Sequence, residues 1–122
     1  MPVKDTKTAL TNPRESVKVL EECIDVQIRK SNDYQNPSSR VKQADYYTHG
    51  IDTILDIMKG KLLRLYSVSE AMANDPDYQP NFESLEDSFK DLINYASFGV
   101  SYLRGKIPGQ DIDRDFLNRK KG

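Results

Sequence analysis

The chain has one cysteine, one histidine and no tryptophan in 122 residues. A single Cys23 excludes an internal disulfide and any cysteine-rich zinc site. A lone His49, set just before Gly50, leaves nothing for a histidine metal cluster and little for a Ser-His-Asp triad. Neither sign of charge is in excess, since 18 Lys and Arg face 19 Asp and Glu for a net charge of −1. Duplex nucleic-acid binding driven by phosphate neutralisation is not expected from that balance. No apolar run nears the length of a membrane span, and no charged-then-apolar leader opens the sequence. The expectation is a cytoplasmic protein without a membrane partner. GxGxxG, HExxH, CxxC and nucleophile-elbow patterns are missing, and in KGKLLRL the first glycine of a phosphate loop is replaced by Leu55. Covalent catalysis finds no support.

What is present is polar. Hydrophobic residues make up 37% and charged residues 30%, which suggests a small core or one completed by a partner subunit. Residues 1–11 lack periodicity and read as a flexible N-terminal arm, 12–106 as a single helical domain, and 107–122 as a C-terminal tail. In that tail a short helical turn is expected before a frayed basic end. Asn12, Pro13 and Glu15 look like a helix start, and Val17, Leu20, Cys23, Ile24 and Ile28 give a helix running to about Lys30. Turn formers fill 31–39, and a short helical segment is expected before Gly50. Ile51, Ile54, Leu55, Met58, Leu62, Leu65 and Tyr66 predict a second long helix over about 51–72, in which Gly60 would mark a close helix approach.

The third helix has the cleanest pattern. Phe82, Leu85, Phe89, Leu92, Ile93, Ala96, Val100 and Leu103 fall on one side and read as its core face; Gly105 and Pro108 end it. No strand pattern appears. The expected fold is all-α, with three long helices plus short helical segments, and a bundle completed by pairing into a homodimer or higher homo-oligomer.

The other side of the third helix carries Glu83, Asp87 and Asp91, one turn apart, with Asn94 in the same arc and Tyr95, Phe98 and Tyr102 beside them. Like charges at i,i+4 repel by a few tenths of a kcal/mol, so water, a basic neighbour or a divalent cation must compensate. Oxygen ligands of this kind suit Mg²⁺ or Mn²⁺, which would fall to Glu83 and Asp87, joined by Glu22 and Asp25 if the first helix packs alongside. A solvated acidic face is the plainer alternative. Arg40, Lys61 and Arg64 are the cations suited to a phosphate, and equally to snorkelling at a surface. Tyr34 could stack on a base or cover the end of the first helix.

Read together, KSNDYQNPSSR (30–40), GIDTILDIMKGKLLRL (50–65) and FESLEDSFKDLINYASFGVSYLRGK (82–106) resemble the nucleotide modification associated domain 1 family, small helical domains of phages and bacteria. The matching positions are Asp33, Tyr34, Ser39 and Arg40; Lys61, Arg64 and Leu65; and Glu83, Ser84, Asp87, Asp91, Leu92 and Tyr95. The pattern is also similar, distantly, to the all-α nucleotide pyrophosphatases of MazG-like and dimeric dUTPase-like type. It departs from their paired acidic motifs, having Glu22-x-x-Asp25 and then Glu83-x-x-Glu86 with Asp87 and Asp91. The resemblance implies a phage-type nucleotide-handling protein acting in the host cytoplasm. Tyr34, Ser39, Arg40, Lys61, Arg64, Asp91, Asn94 and Tyr95 would hold a nucleoside phosphate, and Glu83 and Asp87 a metal. Three readings follow: a metal-dependent nucleotide (pyro)phosphohydrolase, a non-catalytic binder that sequesters a signalling nucleotide, or a helical protein-interaction module.

Overall fold

The computed structural model describes residues 14–34 and 36–121, apart from the side chains of Asn32 and Tyr34. The expected arm at 1–11 and the Asn12–Pro13 helix start lie outside these residues. Among the described residues the fold is all-α: α1 is Glu15–Tyr34, a 3₁₀ helix spans Gln43–Tyr46, α2 is Ile51–Asn74 and α3 is Phe82–Leu103.

Local chemistry sets the ends of α3. The Asn81 side chain accepts a bond from the Ser84 amide at 3.1 Å, capping the first turn. At the other end Gly105 has φ +70°, its amide donates to Tyr102 O, and the Lys106 amide donates to Ser101 O. That pair of bonds, with a left-handed glycine between, is a Schellman stop. By contrast α1 runs four residues beyond the expected end at Lys30, because Ser31 donates to the Ile28 carbonyl at 2.6 Å and so stays within the helix.

The tail is tied down rather than frayed. Ile107 is buried in the core, the Ala44 amide donates to Pro108 O at 3.0 Å, and the Ile51 amide donates to Phe116 O at 2.8 Å. The last bond satisfies a free donor at the start of α2. Gly50 makes it possible: with φ +59° and no Cβ, it lets the Phe116 carbonyl come within contact of its backbone. No helical turn forms in the tail; turns and an isolated bridge between Arg114 and Lys120 replace it.

Helix α3 is the middle helix, packing most extensively on α2 and less on α1, with no comparable contact joining α1 to α2. Tyr47, Ile54, Phe98, Tyr102 and Ile107 form the buried cluster, with Ile51, Ile57, Met58 and Tyr95 against it. Tyr47 meets Tyr102 edge-on at 6.3 Å, and Tyr95 meets Phe98 edge-on at 5.4 Å.

The faces of α3 depart from the expected ones, although Glu83 and Asp87 are exposed as expected. Asn94, Phe98 and Tyr102, assigned to the second surface, are buried, together with Ser88. Phe82, Phe89, Val100 and Leu103, assigned to the core, are exposed. Ser88 is buried on the inner face and Ser84 and Ser101 are half-buried, small residues that leave room for the neighbouring helices. Periodicity identified a stripe but not which neighbour covers it. Gly60 is a second correction: a Cβ there would meet nothing within 4 Å, so it marks no close approach within the chain.

Candidate functional site

Where α1, α2 and α3 converge, Asp91 on α3 receives two cations from different helices. Lys61 Nζ on α2 lies 3.1 Å from Oδ2, and Lys30 Nζ on α1 lies 3.9 Å from Oδ1. Two ammonium groups around one carboxylate leave a surplus of one positive charge. Asp91 and Lys61 are only a quarter to a third exposed, so the field there is less screened than at the open surface. With Val26, Gln27, Asn94, Tyr95 and Phe98 these three side chains line a cavity of about 110 Å³.

An amide relay orients the polar part of that lining. Asn94 Nδ2 donates to the Cys23 carbonyl at 3.1 Å, which fixes which end of the amide is its oxygen. Asn94 Oδ1 then accepts from Gln27 Nε2 at 3.2 Å, and the same Nε2 reaches Ser97 Oγ at 3.1 Å. The Ser97 hydroxyl itself donates to Asn94 O at 2.6 Å. The two Gln27 Nε2 hydrogens and the Ser97 hydroxyl are therefore used within the relay, and Gln27 Oε1 is left to accept. Cys23, buried beneath the relay, has its thiol pKa raised by desolvation and behaves as core, as expected.

A second cavity of about 420 Å³ adjoins the first and shares Gln27 and Phe98 with it. Its remaining walls are Ser31, Gln43, Ser97, Ser101, Ile28, Ile107 and Pro108, without a charged side chain. Gln43 is buried and donates to Tyr47 Oη at 3.0 Å. On the far side of Lys61, a shallow depression of about 270 Å³ is lined by Asp56, Ile57, Gly60, Arg64 and Ser88. There the Arg64 guanidinium donates to Ser84 Oγ.

Of the residues singled out from sequence, Lys61, Asp91, Asn94 and Tyr95 come together, and Arg64 stands one turn from Lys61. Ser39 and Arg40 lie on the loop after α1 and line none of these cavities; Ser39 Oγ accepts from the Val41 amide at 3.0 Å. The Tyr34 side chain lies outside the described residues. Glu83 and Asp87 are exposed, one turn apart on α3. Glu22 does not meet them across a cleft: it pairs with Lys90 at 3.1 Å in a groove shared with Glu15, Val19, Glu86 and Phe89. Lys90 donates to the Glu22 carboxylate, and that bond raises the Lys90 pKa. Asp25 is exposed. Among the described residues no three Asp, Glu, His or Cys side chains converge as a metal-ligand group. Glu83 and Asp87 therefore offer two carboxylates at most to a Mg²⁺ or Mn²⁺ ion, not an all-protein cage. Gln27 and Lys30 were not expected in a site. The signal was the Cys23, Val26, Gln27, Lys30 spacing, a helical stripe apolar at one end and polar at the other.

Comparison with protein-family models, with curated proteins and with solved structures returned no match. Among the described residues no helix is long and apolar enough to cross a membrane.

Proposed function

We propose that the protein binds a nucleoside phosphate at the three-helix junction and holds it without a metal-dependent reaction. The observation that carries this reading is the juxtaposition of a small cationic cavity with a larger uncharged polar one through Gln27 and Phe98. At about 110 Å³ the first has room for a phosphate group, with Lys30 and Lys61 as its cations. The second, about 420 Å³, lies within the usual size range of small-molecule sites. It presents acceptors at Gln27 and the serine oxygens and a ring edge at Phe98, which suits amino groups and sugar hydroxyls. The resemblance to the nucleotide modification associated domain 1 family points to the same ligand class, and the reading keeps Lys61, Asp91, Asn94 and Tyr95 at the site, while Arg64 lines the depression on the far side of Lys61. Hydrolysis is the competing reading, with Glu83 and Asp87 as metal ligands.

A thermal-shift and phosphate-release panel with ribonucleoside and cyclic nucleotides, each with and without Mg²⁺ or Mn²⁺, tests it. Metal-independent stabilisation without turnover is expected, and Lys61→Ala should weaken binding about 10–100-fold. Turnover abolished by Asp87→Asn would establish the hydrolase instead. No response to any nucleotide would overturn both.

A further inference from the structure

The apolar stripe of α3 lies mostly away from the two helices that pack on it, with Phe89 at the rim of the groove beside α1. Phe82 is 64% exposed, Phe89 57% and Leu103 68%, and Val100 and Ala96 are open as well. Apolar and small residues recur at 82, 85, 89, 92, 96, 99 and 103, an unbroken alternation of three and four along the 22-residue helix. That is the spacing of a helix-pairing seam rather than of scattered surface leucines. Helices α1 and α2 also leave apolar residues open, among them Leu20, Ile24, Ile28, Leu55, Leu62 and Tyr66.

We infer that this stripe is the interface with a second copy of the same chain, the two α3 helices lying antiparallel. Three observations single out a second copy. The stripe is complementary to its own reverse: pairing centred between Leu92 and Ile93 sets Phe82 opposite Leu103, Leu85 opposite Val100, and Phe89 opposite Ala96. Gly99, where a Cβ would meet nothing within 4 Å, deepens the recess next to Ala96 that receives the Phe89 ring. An interior helical glycine costs about 1 kcal/mol against alanine, a cost that close approach of a second helix explains.

Charge runs the same way. Glu86 and Arg104 fall on one margin of the stripe, towards its opposite ends. Antiparallel pairing sets this margin of one copy beside the same margin of the other and brings Glu86 towards the partner's Arg104, whereas parallel pairing puts the two margins on opposite sides of the seam.

The exposed area fits the size of such an interface. A folded monomer of 14.0 kDa exposes about 6,700 Å². This chain exposes 9351 Å². An excess on the order of 700 Å² survives even when every residue outside those described is allotted the surface of an unfolded chain. A standard stable interface buries about 800 Å² per partner.

Sedimentation equilibrium at micromolar concentration is the test. The wild-type chain should sediment at twice its 14.0 kDa mass, and Ala96→Glu, a change at an exposed helical position, at the monomer mass with its helical circular dichroism retained. A monomeric wild type, or a dimeric Ala96→Glu, would overturn the assignment. Direction is read separately by mixing singly substituted Phe82→Cys and Leu103→Cys chains under mild oxidation. Antiparallel pairing gives the mixed disulfide in preference to either like pair; a preference for like pairs, or equal yields of all three, would refute it.

Discussion

Asn94 is the residue on which the junction turns. It joins α1 to α3 by donating to the Cys23 carbonyl and accepting from Gln27, and it is buried while doing so. Asn94→Ala should cost about 1–3 kcal/mol, the penalty for a buried carbonyl and amide left unpaired. Urea unfolding of the variant would measure it; a loss within error of zero would mean the relay carries no energy. Asp115 holds the tail in a comparable way. Its carboxyl pKa is lowered, first by the Arg119 amide and further by the Arg119 side chain and the Leu117 amide. Because its folded pKa is depressed, Asp115 stabilises the tail above the ordinary aspartate range, and that contribution is lost as pH falls through the folded value. The protection factor of the Ile51 amide, whose donor is closed by Phe116, should fall below about pH 4. Asp115→Asn should remove that acid dependence.

At the scale of the helices, element positions were readable and element faces were not. The start of α3 at Phe82 and its stop at Gly105 follow from a side-chain cap and a left-handed glycine, both local signals. The helix starting at Ile51 is equally local, although the tail carbonyl that closes it comes from 65 residues further on. Which side of α3 is buried is a matter of tertiary packing. Ser84, Ser88, Asn94 and Tyr102 look like a surface by composition and form the inside, because close-packed helices favour small residues and satisfied amides over bulk. Lys61, Asp91, Asn94 and Tyr95 were legible because they share one arc or one motif. Lys30 and Gln27 were not, since only the approach of α1 brings them to Asp91. Two glycines separate these levels experimentally. Gly60→Ala fills open space inside α2 and should stabilise by about 1 kcal/mol, raising Tm by about 4 °C. Gly50→Ala should destabilise by more than the roughly 1–2 kcal/mol of left-handed backbone strain, because the new Cβ also strikes the Phe116 carbonyl. A Gly60→Ala variant less stable than wild type would show that something else packs on that face.

Across the described residues, a thin layer of three helices buries few large side chains and leaves the apolar stripe of α3 open. The nucleotide site proposed for the junction lies on the side of α3 opposite that seam, so self-association would leave it accessible. If the chain is a dimer, its Tm should rise with protein concentration by mass action, and that dependence should vanish in Ala96→Glu. The junction itself combines surplus positive charge, an amide relay with a fixed direction and an uncharged cavity next door, features that a purely structural helix crossing does not require. Titration of ribonucleoside mono-, di- and triphosphates into the ¹⁵N-labelled protein, followed by amide chemical shifts, tests that claim most directly. The account predicts shifts concentrated at Gln27, Lys30, Lys61, Asp91, Asn94 and Ser97, and their loss in Lys61→Ala; shifts confined to Glu83, Asp87 or the tail, or none at saturating nucleotide, would contradict it.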